Sequence, residues 1–193
     1  MGLSVIHSLC LYSRSHPVLN KNQGVPEMGT PFLFGYHKEI FMTHDIFISD
    51  FNDEHFQTAF KQYFAELGHH LSNWEPLFHE MNHDGSGTHA YVRVTEENRV
   101  AGFIMFCCMD LSSWFFDTQL GFIREFWVSA EQRGHGHGSA LLKLAEDWFR
   151  SQGVYKSILT THTAESFYLR HGYHKDRDIH ARNKDSVYIK ALR

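Results

Sequence analysis

Apolar residues recur along the chain at two spacings. Phe56, Phe60, Tyr63, Phe64 and Leu67 fall at helical intervals, with Asn52 or Asp53 placed to cap the helix, Glu54 in its first turn and Gly68 to stop it. Trp74, Leu77, Phe78 and Met81 mark a second helix. Residues 139–151 form a third, with Leu141, Leu142, Leu144, Ala145 and Trp148 on its apolar face and Gly153 at its end. Residues 164–170, stopped by Gly172, form a short fourth. Between these lie runs of strand character at 45–48, 91–95, 100–109, 122–128 and 154–160, near Tyr173, and at 187–192. Glu96-Glu97-Asn98 joins two of them at hairpin length, and 83–87 is a turn. The predicted order is a strand, two helices, three strands, a helix, a strand, a helix and two strands. In the strand 122–128, strict alternation puts Ile123, Glu125 and Trp127 on one face and Arg124, Phe126 and Val128 on the other.

The first 41 residues follow neither spacing and hold three of the four prolines. No Lys or Arg precedes the apolar run 3–11, which His7 interrupts, so the run is not expected to act as a signal peptide. Ile6 stands where a myristoylation signal needs Ser or Thr. The expectation is an N-terminal extension over 1–41, poorly ordered or not native, and one domain over 42–193. The balance of 18 Lys plus Arg against 22 Asp plus Glu, a formal charge of −4, lacks the basic excess of a nucleic-acid binder. No apolar run is long enough to span a bilayer. Three cysteines, Cys10, Cys107 and Cys108, make no disulfide framework. Cys107 and Cys108 are strand neighbours pointing to opposite faces, as befits buried thiols in a reducing cytoplasm. The 16 histidines include His69-His70 and His135-x-His137, but no Cys pattern supports a metal site.

The chemistry concentrates at Arg133-Gly134-His135-Gly136-His137-Gly138-Ser139, where a strand feeds an amphipathic helix. Glycines let backbone N–H groups face inward, and the free N–H groups of a helix start form an anion site. Arg133 adds forked donors suited to phosphate. The pattern points to pyrophosphate binding. A P-loop would need Lys before Ser139, and a dinucleotide fingerprint would need a third glycine three residues after the second; both are missing.

Arg133-x-x-Gly136-x-Gly138 resembles the acetyl-CoA-binding motif of the GNAT superfamily of N-acetyltransferases. The stretch 164–173, Ala-Glu-Ser-Phe-Tyr-Leu-Arg-His-Gly-Tyr, is similar to that family's second signature, and the element order from Met42 onward matches its fold. The resemblance implies an α/β (α+β) GNAT fold, with a central mixed, mostly antiparallel sheet flanked by helices. It implies acetyl transfer from acetyl-CoA to a primary amine of a small molecule or peptide by direct attack, with no metal. It implies a cofactor site formed by Arg133, Gly134, His135, Gly136, His137, Gly138 and Ser139. The backbone of Phe126 and Val128 would line the pantetheine arm, and Thr161 stands where many members have Asn. Tyr168 is implied as the acid that protonates the departing thiolate, and Glu125 as the base that deprotonates the amine, directly or through water. His135 and His137 would face solvent beside the phosphates. The expected partners are the amine substrate and, if the chain self-associates, a second copy in a homodimer, with no nucleic acid and no membrane; the expected location is the cytoplasm. Trp114, Phe115 and Phe116 are candidates for the acceptor pocket, with Tyr173; Trp74 and Phe78 read as core. Polyamine, amino sugar, amino acid and peptide N-terminus all stay open as acceptors. A non-catalytic acyl-CoA-binding or regulatory module on the same fold is the alternative.

Overall fold

Each helix begins and ends where its local chemistry allows. The Asp53 carboxylate accepts the Phe56 N–H at 2.9 Å and caps α1 (Glu54–Glu66). Asn73 accepts the Glu75 N–H at 3.0 Å at the head of α2 (Glu75–His83), which has proline in its first turn. The remaining elements are β1 (Thr43–Ile48), β2 (His89–Thr95), β3 (Val100–Asp110), β4 (Gln119–Val128), α3 (His137–Ser151), β5 (Lys156–Thr161), α4 (Glu165–Arg170), β6 (His174–Asp176) and β7 (Ser186–Ala191). This computed structural model describes residues 42–110 and 118–193. The N-terminal extension and the Trp114–Phe116 pocket proposed from sequence lie outside the described residues.

The strands form one sheet in the order β1-β2-β3-β4-β5-β7-β6. Among the described residues only β4 and β5 pair in parallel; every other pair is antiparallel. The sheet is therefore mixed and mostly antiparallel, as expected, and the order of elements matches the pattern of spacings. Cys107 and Cys108 are free thiols.

Alternation distributes the core between two faces. Val92, Val94, Phe103 and Met105 meet Phe56, Phe60, Phe64, Leu77 and Phe78 of α1 and α2 on one face. Phe103 lies 5.8 Å from the rings of both Phe56 and Phe60. Trp74 and Phe78 belong to this packing, in line with their reading as core. Ile104, Phe106, Ile123, Leu159 and Tyr188 meet Leu141, Leu142, Ala145 and Phe149 of α3 on the other face. Gly121 is what lets α3 lie so close: a Cβ there would stand 2.5 Å from the Phe149 ring. The buried Glu146 on α3 is held by Lys190 of β7 at 2.7 and 2.8 Å, which satisfies a charge that burial would otherwise penalise. Among the described residues no helix is long and apolar enough to cross a membrane.

The register of β4 departs from strict alternation. Ile123 pairs with Phe106 and Phe126 with Ile104, so Arg124 and Glu125 stand opposite the single residue Met105. This is a β-bulge. It corrects the facing expected from sequence: Ile123 and Phe126 both pack toward α3, while Trp127 turns to the α1–α2 face.

Candidate active site

β4 keeps β5 as a partner only along Gly121–Ile123. Past the bulge it runs on to Val128 without β5, and a cleft of about 480 Å³ lies along this stretch. Phe126, Trp127 and Val128 form one wall, the turn from Gln132 to Ser139 the end, and Ala164, Phe167, Tyr168 and Arg170 the other wall. The Ser129 N–H bonds to Ala101 O across β3. In an antiparallel ladder the next residue facing β3 is then Trp127, so the N–H and C=O of Phe126 and Val128 lie on the cleft edge. Val128 O there accepts from Arg133 Nε at 3.0 Å.

The turn is built for close approach. Gly134 and Gly136 hold φ of 83° and 87°, a left-handed backbone, and a Cβ on either would project into open space. The first helical bond of α3 is the Ala140 N–H to Gly136 O at 3.1 Å. The N–H groups of His137, Gly138 and Ser139 therefore precede the helical ladder, and no side chain caps them. A cradle of uncovered N–H groups and glycines at a helix start fits a diphosphate. Arg133 stands at its edge, 57% exposed, with Nη2 donating to Glu66 of α1 at 2.6 Å.

Two histidines behave differently from one another. His135 is exposed. His137, expected in solvent, is only 6% exposed, and its Nε2 is buried with no hydrogen-bond partner among the described residues. Burial pushes its pKa down, with Arg93 and His135 adding repulsion against the opposing pull of Asp45. Helix α3 lays this first residue against the sheet, a tertiary placement that sequence spacing does not contain. Ser139 meets His171, which sequence reasoning overlooked. His171 Nδ1 lies 2.8 Å from Phe167 O, so in the neutral ring that nitrogen carries the proton and Nε2 accepts from the Ser139 hydroxyl at 2.9 Å.

Tyr168 is buried in the cleft wall. Burial, and secondly the charge of Glu125, push its phenol well above the ordinary range. Glu125 lies in the bulge and accepts from the Tyr63 hydroxyl at 2.7 Å. Tyr63 was legible only as part of an apolar helical stripe; the signal was a hydroxyl in that stripe, which demands a partner when half-buried.

Other sequence candidates stand elsewhere. Thr161 Oγ1 accepts the Ala164 N–H at 3.1 Å and so serves the turn into α4; it is not among the cleft-lining residues. Tyr173, considered for the acceptor pocket, is core: 2% exposed, with its hydroxyl donating to Ser157 at 2.8 Å. Burial raises the pKa of both Cys107 and Cys108, which disfavours a nucleophilic thiolate at either.

The Acetyltransferase (GNAT) family model matches residues 45–173. No curated protein sequence matches the chain. Among solved structures, an acetyltransferase of the GNAT family from Staphylococcus aureus Mu50 is similar with a TM-score of 0.59 and 15% identity, over 79% of this chain and 100% of that one. The NatC complex bound to Gag peptide and CoA contains a chain similar with a TM-score of 0.54 and 18% identity, over 77% of this chain and 99% of that one. At such identities the likeness is one of fold.

Proposed function

The chain belongs to the GNAT acetyltransferase family, and from that premise we propose that it transfers an acetyl group from acetyl-CoA to a primary amine of a small molecule or peptide by direct attack. The observation that supports this reading is the uncapped glycine turn at the head of α3, which opens on a cleft whose wall holds Tyr168. When bound, acetyl-CoA supplies a reactive thioester and a thiolate leaving group.

The protein's own groups supply the rest. N–H groups at the head of α3 bind the diphosphate, with Arg133 exchanging Glu66 for a phosphate oxygen. The free edge of Phe126 and Val128 pairs with the amides of the pantetheine arm as an added strand would. Glu125 takes a proton from the amine, directly or through water, and the Tyr63 hydroxyl holds the carboxylate in place. Tyr168 keeps its proton at any working pH and presents it to the departing sulfur. Two free thiols, Cys107 and Cys108, suit a cytoplasmic setting.

The test is an amine panel that follows release of the free CoA thiol, paired with titration of acetyl-CoA. Acetyl-CoA binding together with thiol release for one class of amine supports the reading. Binding with no release across the panel would leave a non-catalytic acyl-CoA module, and no binding would remove the turn's assignment.

A further inference from the structure

The bulge in β4 has a second consequence. Arg124 and Glu125 are neighbours in sequence, with Cα atoms about 3.8 Å apart, yet both side chains reach the α1–α2 face. Glu125 meets Tyr63 of α1, and Arg124 meets Ser86 and Thr88 in the connection from α2 to β2. An unbulged strand would send them to opposite faces. The site therefore carries an adjacent pair of opposite charges on one side of the sheet.

Arg124 is mostly buried, its side chain 11% exposed. Nη1 donates to Thr88 Oγ1 at 2.5 Å and to Ser86 Oγ at 3.3 Å, and lies 3.7 Å from Asp84 Oδ2. All of these contacts run through Nη1; among the described residues none runs through Nε or Nη2. The Ser86–Thr88 hydroxyl contact at 2.6 Å and the Ser86 N–H to Asp84 Oδ1 bond at 2.8 Å fix the groups that hold Nη1. What remains is the Nε–Nη2 edge of a clamped guanidinium, the edge whose two parallel N–H bonds match a carboxylate.

We propose that the amine acceptor is a free α-amino acid, whose carboxylate is bound by the Nε–Nη2 edge of Arg124 while its amine faces Glu125. This rests on the acyl-transfer reading and narrows its substrate. An α-amino acid carries both charges on one carbon, a spacing that two side chains from adjacent bulge residues can meet. A polyamine or simple amino sugar brings no anion for Arg124. A peptide N-terminus has an amide in place of the neighbouring carboxylate. The reaction balances simply. The acceptor ammonium gives up two protons as the C–N bond forms and the C–S bond breaks. One proton ends on the CoA sulfur, the other leaves to solvent by way of Glu125, and the products are an N-acetyl amino acid and free CoA.

The test measures binding, so it does not depend on turnover. The full chain, saturated with CoA, is titrated with L-α-amino acids, with the matching α-amino acid amides, and with dipeptides carrying the same N-terminal residue. The amides keep the amine and the side chain and lose only the carboxylate charge. At least one amino acid should bind about 10-fold or more tightly than its amide and its dipeptide. Arg124→Gln should bring acid and amide to within about 2-fold, and Arg124→Lys should retain part of the preference. Equal affinity for acid and amide, a preference for the amide, or no binding of any amino acid would each overturn the proposal. Should Arg124→Gln fail to fold, the wild-type ratio of acid to amide still decides. A chain that acetylates a polyamine or a peptide N-terminus and ignores free amino acids keeps the acyl-transfer reading and loses this one.

Discussion

Tyr168 faces a conflict that its surroundings resolve. A phenol whose pKa is raised by burial and by Glu125 holds its proton firmly, which makes it a reluctant acid. In the proposed mechanism a proton taken from the amine would neutralise Glu125, and one of the two causes of the raised pKa would go with it. As the proposed donor, Tyr168 would thus strengthen during the step that needs it, while burial continues to act. Tyr168→Phe keeps the ring and removes the proton, so kcat should fall by about 10²-fold at unchanged acetyl-CoA affinity. The deficit should widen as pH rises and solvent protonates the thiolate less well. Steady-state kinetics beside acetyl-CoA titration check this, and a wild-type kcat in the variant removes Tyr168 from the mechanism. In the same proposed mechanism Tyr63 acts by positioning the Glu125 carboxylate. Tyr63→Phe should lower kcat by about 10-fold, with acetyl-CoA affinity and Tm close to wild type, because a hydrogen bond to a charged carboxylate is lost and little packing with it. A fall in Tm as large as the fall in activity would make its role structural.

At the scale of elements, the turn before α3 and the crossing of α3 over β4 each admit a sharp test. Arg133→Ala should weaken acetyl-CoA binding by about 1–3 kcal/mol through loss of a charge-assisted phosphate contact. The same variant should hardly change stability, since the Arg133–Glu66 pair is exposed and such pairs contribute little. Calorimetric titration and a melting curve separate the two effects, and unchanged affinity refutes the phosphate role. Gly121→Ala tests the packing of α3. The added methyl would meet the Phe149 ring at 2.5 Å, and overpacking of this kind costs about 1–3 kcal/mol. Urea denaturation measures the loss; a variant as stable as wild type would mean that α3 shifts without penalty.

Across the whole molecule, one buried imidazole, His137, and one half-buried imidazole, His89, link stability to pH. Burial lowers the pKa of His137 and of His89 below the ordinary value. His89 lies against Phe47, Phe106 and Trp148, and its Nδ1 has no partner among the described residues. Below pH ~6.5 the unfolded chain takes up protons that these native rings resist. Their contribution is therefore complete above that pH and is lost as pH falls. Tm should drop between pH about 7 and about 5, and His89→Phe, which keeps an apolar ring and removes the titration, should flatten the drop. An equal slope in the variant would exclude His89 as a source.

Periodicity alone determined most of the architecture, because burial on one face imposes a local spacing: the Phe56–Phe60–Phe64 stripe and the alternation of β2 need no distant information. The glycine turn was equally legible, since positive φ at Gly134 and Gly136 is a demand on those residues themselves. Where a contact spans the fold, the sequence was silent. Tyr63 meets Glu125 across 62 positions, and Arg133 meets Glu66 across 67. His137 is buried only because α3 lays it against the sheet, and Tyr173 is withdrawn into the core by Ser157. The bulge is the clearest case. Nothing in Arg124-Glu125 announces it, because a bulge is a mismatch between two strands and belongs to the pair. Yet that mismatch turns both charged residues to one face, at the point where β4 stops pairing with β5, and tertiary pairing alone decided that placement.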